Sequence, residues 1–347
     1  MLQLTERHEE QPFEALFELP LRNGIHKKKN FHGSGVPIIN MGELFDGDRI
    51  RIPPENLIEV TDSELERFGI EQGDLLFARR SLVLEGSGKT SLVEELGTAA
   101  VFESSVIRVR LDRTKADPDY YLAFFSSPEG RSRVLSIASQ TAVSGIRGSD
   151  LAKLFVPVPP VQLQREVGRA LKGLDDLIEN NRRRIELLEE TARLLYREWF
   201  VNFRYPGHED VPLVDSELGP IPGDWEICRV DQVMGVVGGG TPSKKEEGYW
   251  TDGEIQWFTP SDLTRENSMF ALESGLKINE LGLAKSSANL FPSGSVMMTS
   301  RATIGVLSFS TTEACTNQGF ITCLPSERLS GSHIYHWLEA NVPLFLQ

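Results

Sequence analysis

GDLLFARR, residues 73–80, returns as GSVMMTSR at 294–301, in register and without a gap, with Arg80 opposite Arg301. The neighbouring blocks repeat as well. VPIINMGEL at 36–44 reappears as IQWFTPSDL at 255–263, and AVFESSVIRV at 100–109 as ACTNQGFITC at 314–323. A shift of about 220 residues carries each early block onto its later one in the same order, and self-similarity at a fixed period means one structural unit used twice. A chain of 347 residues is long enough for two such units, each with its own core.

Between the copies, FVPVPP at 155–160 reads as a stiff extended connection, because Pro159 and Pro160 lack N–H groups and resist helix. A helix of about forty residues is predicted next, from Val161 to Phe203. Val167, Leu171, Leu174, Ile178, Asn181, Ile185, Leu188, Ala192, Leu195 and Trp199 recur at alternating intervals of four and three, with Arg and Glu on the flanks. A seam this regular predicts coiled-coil pairing, in which Asn181, its polar member, would set the register. At 1.5 Å per residue the helix would span roughly 60 Å. Pro and Gly in YPGHEDVPLVDSELGPIPG, 205–223, mark a linker.

Strands are predicted at Val36–Asn40, Asp74–Phe77 and Ser105–Leu111, and a helix after Pro118 that carries Tyr120, Leu122, Phe124 and Phe125. The later copy opens at Asp224-Trp225; GGGTPSK at 238–244 reads as a flexible loop ahead of Trp250, Ile255–Phe258 and Val296–Thr299. The fold class is therefore α+β. Two repeated domains, 1–160 and 224–347, each on an irregular and mostly antiparallel sheet, flank a helix at 161–204 and the linker at 205–223. By the repeat's own logic about thirty further residues and a second long helix belong after the second domain, which reads as truncated. Residues 205–347 hold no second heptad run, so the seam is expected to pair with another chain, such as a second copy.

The N-terminus, MLQLTERHEEQPFE, has no basic-then-apolar signal, and no apolar run reaches membrane-spanning length. The expected compartment is the cytoplasm, away from membranes. Cys228, Cys315 and Cys323 are odd in number and lack CxxC spacing, which supports neither a disulfide framework nor a zinc site. The net charge of −14 counts against an indiscriminate nucleic-acid binder. Cations nevertheless cluster at His26–Lys29, Arg79-Arg80, Arg108 with Arg110 and Arg113, Arg131 with Arg133, and Lys244-Lys245, while acids gather at 55–74 and 209–226. A basic groove on an acidic body fits this pattern, and so does ordinary solvated charge.

Catalytic signatures fail one by one. GSGKT at 86–90 resembles the end of a phosphate-binding loop, but Val83 stands where the first Gly is required. HExxH, GxSxG and a strand–GxG–helix fingerprint are missing. His333 and His336 share a predicted helix and read as surface residues rather than ligands. The remaining polar groups suit binding. Ser261–Arg265, Thr299–Thr303 and Thr316–Gly319 place Arg, Asn, Gln, Ser and Thr at loop–strand edges, the residue types that read base edges and hold phosphates. Each could also be a self-capped turn; their recurrence in both copies favours an extended, repetitive target such as duplex DNA.

LLEETARLLYREWFVNFRYPGHE at 187–209 resembles the central conserved region of specificity subunits of type I restriction–modification systems. FTPSDLT at 258–264, TSRATIG at 299–305 and TNQGF at 316–320 are similar to motifs of that family's target-recognition domains, and PVPPVQLQREV at 157–167 to its domain-to-helix junction. The resemblance implies a non-catalytic subunit that reads two short half-sites separated by a spacer whose length the helices fix. It implies methyltransferase subunits using S-adenosylmethionine and a restriction subunit using ATP and Mg²⁺ as partners, with no cofactor or metal held by this chain. In the family a second helix of the same chain packs antiparallel on the first. Candidate DNA contacts are Lys27, Lys28, Lys29, Arg79 and Arg80, then Lys244, Lys245, Arg265, Ser300, Arg301 and Thr303. Two other classes stay open. A stand-alone nuclease would cut DNA without partners, and a coiled-coil scaffold or decayed fragment would keep its partners while binding no DNA.

Overall fold

The computed structural model describes residues 9–139, 144–301 and 303–346, and of Glu266 the backbone alone. The chain forms two compact units, Met1–Arg183 and Arg184–Gln347. The first builds its two main sheets from β1 (Phe17–Asn23), β2 (His32–Ile39), β3 (Arg49–Ile50), β4 (Leu57–Ile58), β5 (Leu75–Ala78), β6 (Thr90–Val93), β7 (Val101–Phe102) and β8 (Val106–Leu111). One sheet runs β1-β8-β5-β6-β3 and the other β4-β2-β7. The second unit repeats the plan with β9 (Gly235–Gly238), β10 (Ile255–Phe258), β11 (Phe270–Ala271), β12 (Leu276–Ile278), β13 (Val296–Thr299), β14 (Leu307–Ser310), β15 (Ala314–Thr316) and β16 (Phe320–Leu324). Its sheets run β9-β16-β13-β14-β11 and β12-β10-β15.

Register repeats with topology. In the parallel pairs β2–β7 and β10–β15, Ile38 faces Val101 and Trp257 faces Cys315. In the central sheets Leu75 lies between Val109 and Leu92, and Val296 between Cys323 and Phe309. All of these except Leu92 and Phe309 are positions that the repeated blocks align. Each five-stranded sheet ends on a parallel edge, β3 on β6 and β11 on β14. The mostly antiparallel sheet expected in each domain is thus joined by a second, smaller one. Parallel pairing needs a long crossover, which the residues between 39 and 101, and between 258 and 314, supply.

The central strands β5 and β13 are buried at every position, and apolar at all but Thr299, because both of their faces are covered. Leu75 and Phe77 pack among Phe13, Tyr121 and Phe125, whereas Leu76 and Ala78 pack with Ile39, Leu44 and Phe102. In the second unit Val296 and Met298 meet Ile334 and Leu338 of the last helix, Gly331–Phe345, while Met297 joins Phe258, Leu263 and Phe320. The helix predicted after Pro118 spans Pro118–Ser126, with the Asp117 side chain capping Tyr120 N.

The long helix runs Val161–Tyr196 and continues as a π turn, Arg197–Val201; Phe203, at φ 57°, ends it. Its first turns are fastened to the first unit by polar contacts. The fully buried Gln164 amide accepts from Asp117 N at 2.9 Å and donates to the carbonyls of Lys115 and Pro159 at 3.2 and 2.8 Å. Farther along, Asp175 and Asp176 meet Arg49 and Arg51 at 3.1 and 2.7 Å, and Lys172 meets Glu94 at 2.5 Å.

At its other end, within the second unit, Tyr196 and Phe200 pack on His333 with ring centroids 5.4 and 4.6 Å apart, and Arg193 pairs with Glu339 at 3.2 Å. His333 and His336 are therefore not solvated surface residues. Their rings cover the end of the long helix, and burial, aided by the neighbouring His336, lowers the His333 pKa. Val167, Ala192 and Trp199 are half-buried. The middle of the seam is open: Leu174, Ile178, Ile185 and Leu188 are 50–67% exposed, and Leu171, Asn181 and Leu195 are exposed with them.

Candidate nucleic-acid interface

Three loops converge at one end of the sheets in each unit. In the first, the loop after β1 is tied to the end of β7, since Ile25 N donates to Phe102 O at 2.8 Å. The loop after β5 is tied to the turn after β7 by Arg79 N to Ser105 O at 2.8 Å and by the Arg79 guanidinium to Ser104 O at 3.3 Å. The second unit makes the matching bonds. Gly240 N donates to Thr316 O at 2.8 Å, and Ser300 N to Gly319 O at 2.7 Å.

Glycine is required where the loops touch. A Cβ on Gly24 would sit 2.1 Å from Phe102 O, and one on Gly239 1.9 Å from Asn317 O. The stretch 238–244 is accordingly pinned rather than free. Thr241 Oγ1 donates to Gln318 Oε1 at 2.7 Å, and Asn317 Oδ1 accepts from Gly319 N at 2.8 Å. The TNQG stretch is thus a self-capped turn whose Gln318 faces the glycine loop.

This geometry sorts the predicted contacts. The basic runs Lys27–Lys29 and Lys244-Lys245 follow the same glycine in the same loop of the two units, a correspondence the sequence blocks did not reveal. Lys28, Lys29, Lys244 and Lys245 are exposed, and among the described residues nothing pairs with their ammonium groups. Lys27 differs: its ammonium meets Glu64 at 2.6 Å and Glu59 O at 2.8 Å, and it lies over the Phe31 ring. Arg80 and Arg301 occupy the same position after β5 and β13, both exposed, and among the described residues neither guanidinium has a polar partner. Arg79 and Ser300 are half-buried at the loop contacts, and Thr303 is exposed with its carbonyl accepting from Thr299 Oγ1. Arg265 lies 3.7 Å from Asp262 on its own helix. Ala302, inside the TSRATIG motif, lies outside the described residues.

The other basic clusters are internal braces. Arg110 forks onto the buried Asp74 with both bonds at 2.7 Å, and Arg108 is buried with its guanidinium on Gly69 O. Arg113 binds Gln72 O, Arg131 three carbonyls, and Arg133 Glu10 and Glu129. Residues 86–90 lead into β6 instead of the helix a phosphate loop requires, and Lys89 pairs with Asp48. Burial raises the thiols of Cys315 and Cys323 to about 12 and 11, so both stay protonated at neutral pH. Among the described residues no His, Cys, Asp and Glu group has a metal-binding arrangement, and no helix is long and apolar enough to cross a membrane.

The family model described as type I restriction modification DNA specificity domain matches residues 12–190 and 222–346. The chain belongs to this family. Each matched segment of the specificity-domain family contains one complete three-loop patch. Among its relatives, the MjaIX specificity subunit of Methanocaldococcus jannaschii is 31% identical over 143 residues, 41% of this chain and 32% of that protein. The EcoKI specificity subunit of Escherichia coli is 34% identical over 156 residues, 44% of this chain and 33% of that protein. The shared stretches thus span about a third of each relative. The crystal structure of the type I restriction–modification S subunit from M. genitalium has the same fold, with a TM-score of 0.63 at 13% identity, covering 99% of this chain and 80% of that one.

Proposed function

We propose that this chain is a non-catalytic specificity subunit that reads a bipartite site in duplex DNA, one half-site per unit. The observation that carries the reading is the recurrence of one patch. A glycine-anchored basic loop and an exposed arginine whose guanidinium has no partner among the described residues stand at equivalent places in both units of a chain whose net charge is −14. Exposed lysines supply phosphate contacts that fix register, and Arg80 and Arg301 supply the forked donors that recognise a base edge. In this reading the recognition domains are 1–160 and 224–347, joined by the helix at 161–204 and the linker at 205–223. Methyltransferase and restriction subunits perform the chemistry in the cytoplasm and hold the S-adenosylmethionine, ATP and Mg²⁺. The exposed seam from Leu174 to Leu188 is the surface for a partner helix, from a second copy or from a methyltransferase subunit.

Mapping methylated bases in the genome of a host that encodes the chain, before and after deleting its gene, tests this. The expected result is loss of methylation at one motif made of two short blocks with a fixed gap. An unchanged methylation map sinks the reading.

A further inference from the structure

We infer that the aliphatic loop tip Leu82–Val83, and in the second unit Ile304 in the shorter loop after Arg301, read thymine C5-methyl groups in the major groove; the inference rests on the DNA-reading function proposed above. Leu82 is 91% exposed and Val83 59%. Scattered apolar residues are ordinary on protein surfaces. This pair is not scatter, because the loop is braced to present it. Arg80 and Ser81 pair with Gly145 and Ser144, and Val83 N donates to Ser81 Oγ at 3.2 Å. Gly86 N donates to Val83 O at 3.2 Å, and Arg131 grips the carbonyls of Glu85, Ser87 and Gly88 at 2.7, 3.0 and 2.8 Å. The fork of Arg131 thus holds three backbone carbonyls of the loop behind the tip.

The second unit has a shorter loop at the same place, between β13 and β14. Ile304 follows Arg301 by three residues, as Val83 follows Arg80, and it is 40% exposed. That loop is closed by the Thr299 hydroxyl, which donates to Thr303 O and accepts from Val306 N at 2.9 Å. A braced aliphatic group near an exposed guanidinium matches the major-groove edge of a sequence containing an A·T pair. The arginine takes a phosphate or a guanine, and the aliphatic carbons cover the thymine methyl, the one apolar feature of that edge. Leucine, valine and isoleucine side chains offer no hydrogen bond, so desolvation of methyl groups is what they gain on contact.

The test uses the full chain, with any subunits that copurify, and a duplex carrying its mapped motif. Each thymine is replaced in turn by deoxyuridine, which removes only the methyl group. Affinity should fall about fourfold at one or two positions in each half-site, the worth of one buried methyl group. Leu82→Ser with Val83→Ser should erase that sensitivity in one half-site and Ile304→Ser in the other, while all variants keep the parental melting temperature. Thymines that are all insensitive, half-sites without thymine, or a serine variant that weakens thymine and deoxyuridine duplexes equally would each overturn the inference and leave the DNA reading standing. Failure of the unaltered chain to bind its mapped motif would overturn that reading instead.

Discussion

Arg110 and Arg301 mark the two uses of cations in this chain. Arg110 is committed to Asp74 inside the fold, whereas Arg301 stands exposed and its guanidinium has no partner among the described residues. Arg301→Ala should leave thermal stability within about 0.5 kcal/mol. It should also cost about 1–3 kcal/mol of binding and relax one base position of the methylated motif. Unchanged motif and affinity would remove Arg301 from the contact surface. Glu94 gives a pH-dependent case. Burial penalises its carboxylate, but Lys172 at 2.5 Å and Arg49 at 2.9 Å outweigh this and hold its pKa below the ordinary carboxylate value. A depressed acid contributes stability that is complete above its unfolded pKa, about 4.3, and is lost as pH falls through the folded value. Chemical denaturation between pH 7 and 3 should therefore show a shallower acid decline for Glu94→Gln than for the parent chain.

Among the elements, the short helices after β2 and β10 carry the same start signal. Glu43 reaches back to Asn40 N and Asp262 to Thr259 N, both at 2.8 Å. Asp262 also accepts from Thr259 Oγ1 at 2.7 Å and from Gly275 N at 3.0 Å, so Asp262→Ala strands several donors and should cost about 1–3 kcal/mol in a urea titration of the second unit. Loss of less than half a kcal/mol would mean that water replaces these bonds. Such local patterns were legible in the sequence. The nearly continuous apolar runs LLFA and VMMT repeat because each copy must bury the same strand on both faces. The long helix was legible for a similar reason, since its period is written in consecutive residues. The destinations of the cations were not. Lys27 finds Glu64 and Arg110 finds Asp74 across separate strands and loops, and nothing in the local composition distinguishes Lys27 from Lys28. The glycine-anchored loop was missed because its two copies share one glycine and a basic run but little else.

For the molecule as a whole, the open stretch of the seam sets the association behaviour. Leaving Leu174, Ile178, Ile185 and Leu188 in water costs about 25 cal/mol per Å² of apolar surface. Sedimentation should show a concentration-dependent complex at micromolar protein, and Leu174→Asp or Leu188→Asp should abolish it. A well-behaved monomer of the unaltered chain would show that this face needs no partner. The duplicated topology also has a consequence for how the chain is made. In each unit a parallel strand pair joins residues far apart in sequence, Ile38 with Val101 and Trp257 with Cys315. Such non-local pairings form slowly, and two units of the same plan offer each other near-matching strands while both are unfolded. Synthesis from the N-terminus separates them in time. At about 5–20 residues per second, residues up to 111 leave the ribosome roughly ten seconds or more before β16 exists. The first sheet can therefore close before its competitor is available. Refolding from denaturant, where both copies are released together, loses that head start and exposes the chain to exchange of strands between its own halves.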